Sequence, residues 1–285
     1  MTPPKVTIAI YPSYPVNKGR REVPTLRYLR HVEEVTVVES HDVPLLCISV
    51  NGRILGVVDP WDSWKKPSRF RRYQSSAHLA RLIKKHKPPV IFKYQFRQGT
   101  TYFPGTVAAG YPCRFPYTRP DDLLTRPRPI DVTARMRIYD HERETVVEQA
   151  RRLGQEDNKV HVALVDMDRY VSDLWDSQIG FDWYGSGKLT YRMIEYIRAG
   201  VVPILHPLGS EWPVRDDAIL EDGVHCVYCS DPKEFANTAR RLLADPARIE
   251  RIRRNLMALW ETKLGPTAQG YWTWEKLKAA MHNHH

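Results

Sequence analysis

Gly185 to Leu205 reads GSGKLTYRMIEYIRAGVVPIL: a glycine turn, a short helix, a glycine stop and a buried strand. Gly185 and Gly187 flank Ser186 and make a flexible turn. Leu189 to Ala199 has helical spacing, and Gly200 suits the left-handed residue that ends a helix. Lys188, Arg192 and Glu195 stand at i, i+4 and i+7, so they share one face. Leu189, Met193 and Ile197 form the neighbouring face, which can pack. Cations in a first helical turn oppose the helix dipole. They make sense there if an anion sits over them, and helix N-termini bind phosphates for the same reason. The same spacing also fits a solvated face carrying ordinary pairs among Arg192, Glu195 and Arg198. Two familiar loops are excluded. A phosphate-binding loop needs glycine where Asp182 stands, and a dinucleotide fingerprint starting at Gly185 needs glycine where Thr190 stands.

Around this stretch the chain alternates. Ile130 to Met136 reads as a strand, Glu142 to Leu153 as a helix, and Val160 to Val165 as a strand. Tyr170 to Trp175 reads as a short helix and Ile179 to Trp183 as a strand before the 188–199 helix and the 201–205 strand. Such alternation predicts an α/β fold whose parallel sheet is covered on both faces. Ligands in such sheets bind beyond the carboxyl ends of strands. That puts Arg135, Arg137 and the 185–188 turn near one site.

The quoted segment resembles the donor-binding segment of GT-B glycosyltransferases, in particular the exostosin-like, CgeB-like and group 1 relatives. The residues that carry the resemblance are Arg192, Glu195, Ala199-Gly200 and Val202-Pro203-Ile204. Downstream, Asp222-Gly223-Val224-His225-Cys226-Val227 is similar to the family's loop–strand unit, and Asp231-Pro232 and Asp245-Pro246 each open a helix. The resemblance spans roughly residues 130 to 280. It implies two Rossmann-like domains with mostly parallel sheets and a cleft between them. It implies that Glu195 holds the ribose of a nucleotide sugar, most simply a UDP-sugar, while Arg192 and Lys188 neutralise its diphosphate. Arg135 and Arg137 would be secondary phosphate contacts, and His206 would touch sugar or phosphate. Many retaining members carry an acidic residue where Gly187 stands here, so inverting transfer is slightly favoured. No metal is needed if Lys188 and Arg192 carry the phosphate charge, and no permanently bound cofactor is expected.

The net charge of +10 is concentrated. Residues 65 to 120 hold thirteen basic side chains and no Asp or Glu, more than the whole excess. Lys65, Lys66, Arg69, Arg71, Arg72, Lys93 and Arg97 lie there among Phe70, Tyr73, Phe92, Tyr94 and Phe96. Basic residues interleaved with aromatics are the footprint of a nucleic-acid partner, and also suit an anionic surface or plain solvation. With the family resemblance, this block points to a DNA acceptor bearing hydroxymethylated pyrimidines, as for a phage DNA glycosyltransferase. The alternatives are transfer to a cell-surface or spore glycan, and a non-enzymatic nucleic-acid-binding protein on a degenerate transferase fold.

In the first half, Asn51-Gly52 between Leu45–Val50 and Arg53–Val58 signals a type I′ hairpin. Ser75 or Ser76 opens a helix ending at Pro88-Pro89, and Val90 to Phe96 is a strand. The hairpin's second strand ends at Asp59, with Asp62 shortly after. A base must take the acceptor hydroxyl's proton, and Asp59 or Asp62 is the candidate; both also suit turns. The proline-rich stretch from Pro112 to Pro129 reads as a linker. The expected division is 1–125 for the acceptor, 126–265 for the nucleotide sugar, and a 266–285 helix crossing back onto the first domain. Cys226 and Cys229 form a lone C-x-x-C, too little for a zinc ribbon, and the terminal HNHH reads as a tail. No apolar run approaches the roughly 20 residues of a membrane span. The N-terminus enters a strand at once, so a cytoplasmic chain, in a cell or a host, is expected.

Overall fold

A computed structural model describes residues 3–9, 28–44, 46–59, 74–99, 102–110, 119–185 and 187–282. The chain divides into two compact units. Unit one comprises Met1–Pro112, Pro213–Asp217 and Leu264–His285; unit two comprises Cys113–Trp212 and Ala218–Lys263.

Unit one holds a six-stranded sheet of β1 (Lys5–Ala9), β2 (Thr36–Ser40), β3 (Cys47–Val50), β4 (Arg53–Asp59), β5 (Val90–Lys93) and β6 (Thr106–Ala108), in the order β2-β1-β3-β4-β5-β6. Its β3–β4 hairpin turns at Asn51 and Gly52, whose φ values of 49° and 85° are those a type I′ turn demands. The remaining pairs are parallel apart from β1 with β3. Helix α1 (Gln74–His86) closes one face, where Leu79, Leu82 and Ile83 meet Val43, Cys47, Val57 and Ile91 in a buried cluster.

Unit two is a five-stranded sheet of β7 (Ile130–Thr133), β8 (Val160–His161), β9 (Ser177–Asp182), β10 (Val202–Leu205) and β11 (Val227–Tyr228), ordered β11-β10-β9-β7-β8 and parallel throughout. Between its strands run α2 (His141–Gly154), α3 (Met167–Trp175) and α4 (Tyr191–Ala199), and after β11 come α5 (Phe235–Leu243) and α6 (Pro246–Leu259). The fold is thus α/β with mostly parallel sheets. The helices start where short polar side chains can take orphan amides. Asp140, Asp166, Thr190 and Asp245 accept from the backbone N–H of Arg143, Arg169, Met193 and Arg248.

Helix α4 ends at Gly200, in the left-handed region with φ 64°. Its last carbonyls are met by two buried arginines. Arg128 donates to Ala199 O at 2.8 Å and also to Ser177 O and Leu123 O, while Arg253 donates to Gly200 O at 3.0 Å. Guanidinium groups suit a helix C-terminus, where the dipole is negative. Burial, with Arg253 and Arg126 close by, still lowers the Arg128 pKa to about 9.

Helix α7 (Pro266–His282) belongs to unit one. There Trp274, 2% exposed, donates to Glu34, and Trp272 meets the ring of Phe92 edge-on. Several elements are shorter than expected. The strand over Val160–Val165 ends at His161, the one over Val90–Phe96 ends at Lys93, and the helix expected from Lys188 begins at Tyr191. No helix among the described residues is long and apolar enough to cross a membrane.

Candidate functional site

In unit two, strand order reverses between β7 and β9: the chain leaves β7 for β8 on one side and returns past it to β9 on the other. The carboxyl ends of strands at such a reversal are where open α/β sheets bind ligands. Asp182, the last residue of β9, stands there with 1% exposure. A buried carboxylate needs partners. Asp182 takes the hydroxyl of Thr190 and Nη1 of Arg192, the latter at 2.9 Å. Thr190 also caps α4, accepting from Met193 N at 3.1 Å. Arg192 Nε donates to Arg135 O at 3.1 Å, so this one guanidinium ties the end of β9 to the segment after β7.

Three residues further along α4, Glu195 is 7% exposed and accepts from Tyr170 Oη of α3 at 2.7 Å. Burial, then the Glu195 charge, push the Tyr170 phenol well above its ordinary pKa. Tyr196 packs behind and donates to Phe181 O at 3.0 Å. Gly180 makes room for it: a Cβ there would lie 2.6 Å from the Tyr196 ring.

A second group lies on the other side of Asp182. Lys188 Nζ sits 4.5 Å over the Tyr184 ring, and the Tyr184 hydroxyl donates to Glu142. Arg143, buried, holds this turn by donating to Trp183 O and Tyr184 O at 2.8 Å and to Arg137 O at 3.0 Å. Gly185 lies against it, where a Cβ would come 2.9 Å from Nη2, and its N–H donates to Gly187 O. His206 follows β10 and is 3% exposed, edge-on to the rings of Trp183 at 5.6 Å and Tyr184 at 5.1 Å. Its pKa is lowered to about 4, chiefly by burial; Lys188 and Arg143 act in the same direction, while Asp182 and the Lys188 backbone oppose them. Despite that backbone group, neither ring nitrogen has a partner in hydrogen-bond geometry among the described residues.

The sequence-selected residues therefore divide. Arg192 is bound to Asp182, His206 lies near Asp182 and Lys188, Glu195 follows Arg192 on α4, and Gly185 and Gly187 belong to the turn held by Arg143. Arg137 is exposed and contributes its carbonyl to Arg143. Arg135, expected as a phosphate contact, turns its side chain inward instead, to Asp173, Ala163 O and His161. In unit one, Asp59 and Lys93 are register partners on β4 and β5 and form an ion pair at 3.1 Å with exposures of 2% and 1%. Lys93 is thus no part of an exposed basic surface, and Asp59 is no open carboxylate. Arg97 is exposed, and its N–H donates to Tyr102 Oη. Asp62, Lys65, Lys66, Arg69, Arg71 and Arg72 lie outside the described residues. Cys226 and Cys229 are buried free thiols, and burial raises the Cys226 pKa to about 12. Among the described residues no three His, Cys, Asp or Glu side chains gather as a metal would need.

No protein-family model and no curated protein matches the chain. Solved structures do match in chain path. HepE of Anabaena, in complex with UDP-glucose, has a TM-score of 0.49 at 11% identity, covering 79% of this chain and 72% of that one. A mutant of TarM from S. aureus, in complex with Fondaparinux, alpha-GlcNAc-glycerol and UDP, has a TM-score of 0.48 at 9% identity, covering 86% and 51%. A glycosyltransferase from Rickettsia africae has a TM-score of 0.43 at 10% identity, covering 77% and 84%.

Proposed function

We propose that this chain is a GT-B-type glycosyltransferase that moves a sugar from a nucleotide-sugar donor to a hydroxyl acceptor. The observation that carries the reading is that Arg192 is bound to Asp182 at the carboxyl edge where strand order reverses, with His206 and Lys188 close by and Glu195 three residues further along α4. A leaving nucleoside diphosphate needs fixed positive charge in a site shielded from water. In this reading Lys188 and Arg192 supply the charge, and Glu195 accepts from the ribose hydroxyls. UDP-glucose and UDP, which HepE structures hold, are the donors to try first.

In the inverting course we favour, the acceptor oxygen attacks the anomeric carbon as the diphosphate leaves, and a base takes the hydroxyl proton. Asp59 is committed to Lys93, which leaves Asp62 for that step; Asp62→Asn should lower transfer about a hundredfold or more.

For the acceptor we favour DNA carrying hydroxymethylated pyrimidines, held by the basic segment. Arg81, Lys84, Lys85 and Lys87 extend that segment on the exposed end of α1 and just beyond it. Binding through phosphates weakens steeply with salt, and an enzyme acting on a base takes it out of the stack. The test is transfer of labelled sugar from UDP-glucose to hydroxymethylated and to unmodified duplex DNA. Label on the modified duplex alone supports the reading. Donor binding without transfer to either DNA rejects this acceptor and turns the search to cell-surface glycans. The same basic stretch favours one rival, a nucleic-acid binder without catalysis; DNA binding with no donor binding would establish it.

A further inference from the structure

His206 is a polar side chain that the fold buries and leaves unused. It is 3% exposed, and neither ring nitrogen has a hydrogen-bond partner among the described residues. A buried imidazole in this state forgoes interactions that water would supply. The groups that face it are Trp183, Tyr184 and Asp182 at the end of β9, Lys188 in the following turn, and Arg143 from α2. Of the charged groups, Lys188 and Arg143 oppose a proton on the ring and Asp182 favours one. Tyr184 is tied to Glu142, whose carboxylate is kept ionised by that hydrogen bond and the one from Trp183.

Without a ligand, the Asp182 carboxylate is balanced by Arg192 at 2.9 Å. An anion drawn to Lys188 and Arg192 changes this balance in two ways. It offsets the Lys188 and Arg143 charges that add to burial in keeping the ring neutral, and it competes with Asp182 for Arg192. Both changes favour a cationic imidazole beside Asp182.

We propose that His206 takes up a proton from solvent when the diphosphate of a nucleotide sugar binds at Lys188 and Arg192, so that donor binding is proton-linked. The neutral, unpartnered ring is the empty state of the switch, and the imidazolium facing Asp182 is the loaded state. The proposal rests on the donor-site reading above. It adds a residue role and a pH dependence that the reading alone does not require. By linkage, a proton bound more tightly in the complex makes the complex tighter as pH falls.

UDP-glucose is the right probe, because its diphosphate diester keeps constant charge across the working range. The intact chain is titrated calorimetrically with UDP-glucose from about pH 8 down to about pH 5.5, in buffers of differing ionisation enthalpy. Affinity should rise by up to about tenfold per pH unit within the window between the free and bound pKa values. The heats should report net proton uptake. His206→Gln keeps a neutral polar side chain; whatever its affinity at about pH 8, it should lose both the pH slope and the proton uptake. Imidazole nitrogen NMR of the wild type gives a second readout that needs no substitution: the His206 signal should move to its protonated position on adding UDP-glucose. Binding that is independent of pH, or a His206→Gln variant that keeps the slope, overturns the proton link and leaves the donor site standing. Absence of UDP-glucose binding at every pH overturns both.

Discussion

Arg192 Nη1 lies 2.9 Å from Asp182 Oδ1, with side-chain exposures of 16% and 1%. The pair joins the end of β9 to α4. Removing one partner strands the other as a buried charge, at a cost of about 3–5 kcal/mol. Arg192→Ala should therefore lower stability by that order in urea unfolding. Pairing it with Asp182→Asn should recover a large part of the loss, because the stranded carboxylate is gone. A double variant no more stable than the single one would show that the pair does not hold this edge.

Glu195 and Tyr170 make a hydrogen bond from a phenol to a charged acceptor. Tyr170→Phe removes the donor and leaves the carboxylate in place. A loss of about 1.5–3 kcal/mol is expected, together with weaker UDP-glucose binding if the tyrosine holds Glu195 in its ligand-ready rotamer. Unfolding measurements and a donor titration read these separately.

His206 also shapes stability against pH. Its folded pKa of about 4 lies below the ordinary 6.5. The unfolded chain therefore binds the proton first as pH falls. The associated stability is present above about pH 6.5 and is lost toward pH 4, by at most about 3 kcal/mol. The urea midpoint should drop across this window in the wild type and drop less in His206→Gln. An equal drop in both would place the titration elsewhere.

Arg128 meets three carbonyls at once, those of Leu123, Ser177 and Ala199. Arg128→Ala leaves them buried without that donor, and a cost of about 3 kcal/mol or more follows. Lysine cannot span the three acceptors, so Arg128→Lys should restore only part of the midpoint.

Much of unit two was legible because strand and helix periodicities alternate strictly from Ile130 onward. The type I′ hairpin was legible because Asn-Gly tolerates positive φ at both positions. Boundaries were not. The i, i+4, i+7 spacing of Lys188, Arg192 and Glu195 starts the helix early, while in the structure Thr190 caps it and Tyr191 opens it. A carboxylate closing a strand describes Asp59 and Asp182 alike. What separates them is tertiary. Lys93 meets Asp59 from a strand 34 positions away, and Asp182 draws its partners from α4. Arg135 reads as a phosphate contact and Arg143 carries no signal in the sequence, because the acceptors that bury both lie on other elements. Sequence spacing reports which side chains share a face, and it is silent on what that face meets.

A donor site on the ridge of Lys188, Arg192 and Glu195 requires that a nucleotide sugar be gripped there. Thermal unfolding of the intact chain with saturating UDP-glucose measures this directly. The wild type should rise by about 5 °C or more at a hundredfold excess over Kd, with Arg192→Lys and Glu195→Gln each losing most of the rise. A wild-type midpoint that UDP-glucose, UDP and other nucleotide sugars leave unmoved, or an undiminished rise in both variants, would contradict it.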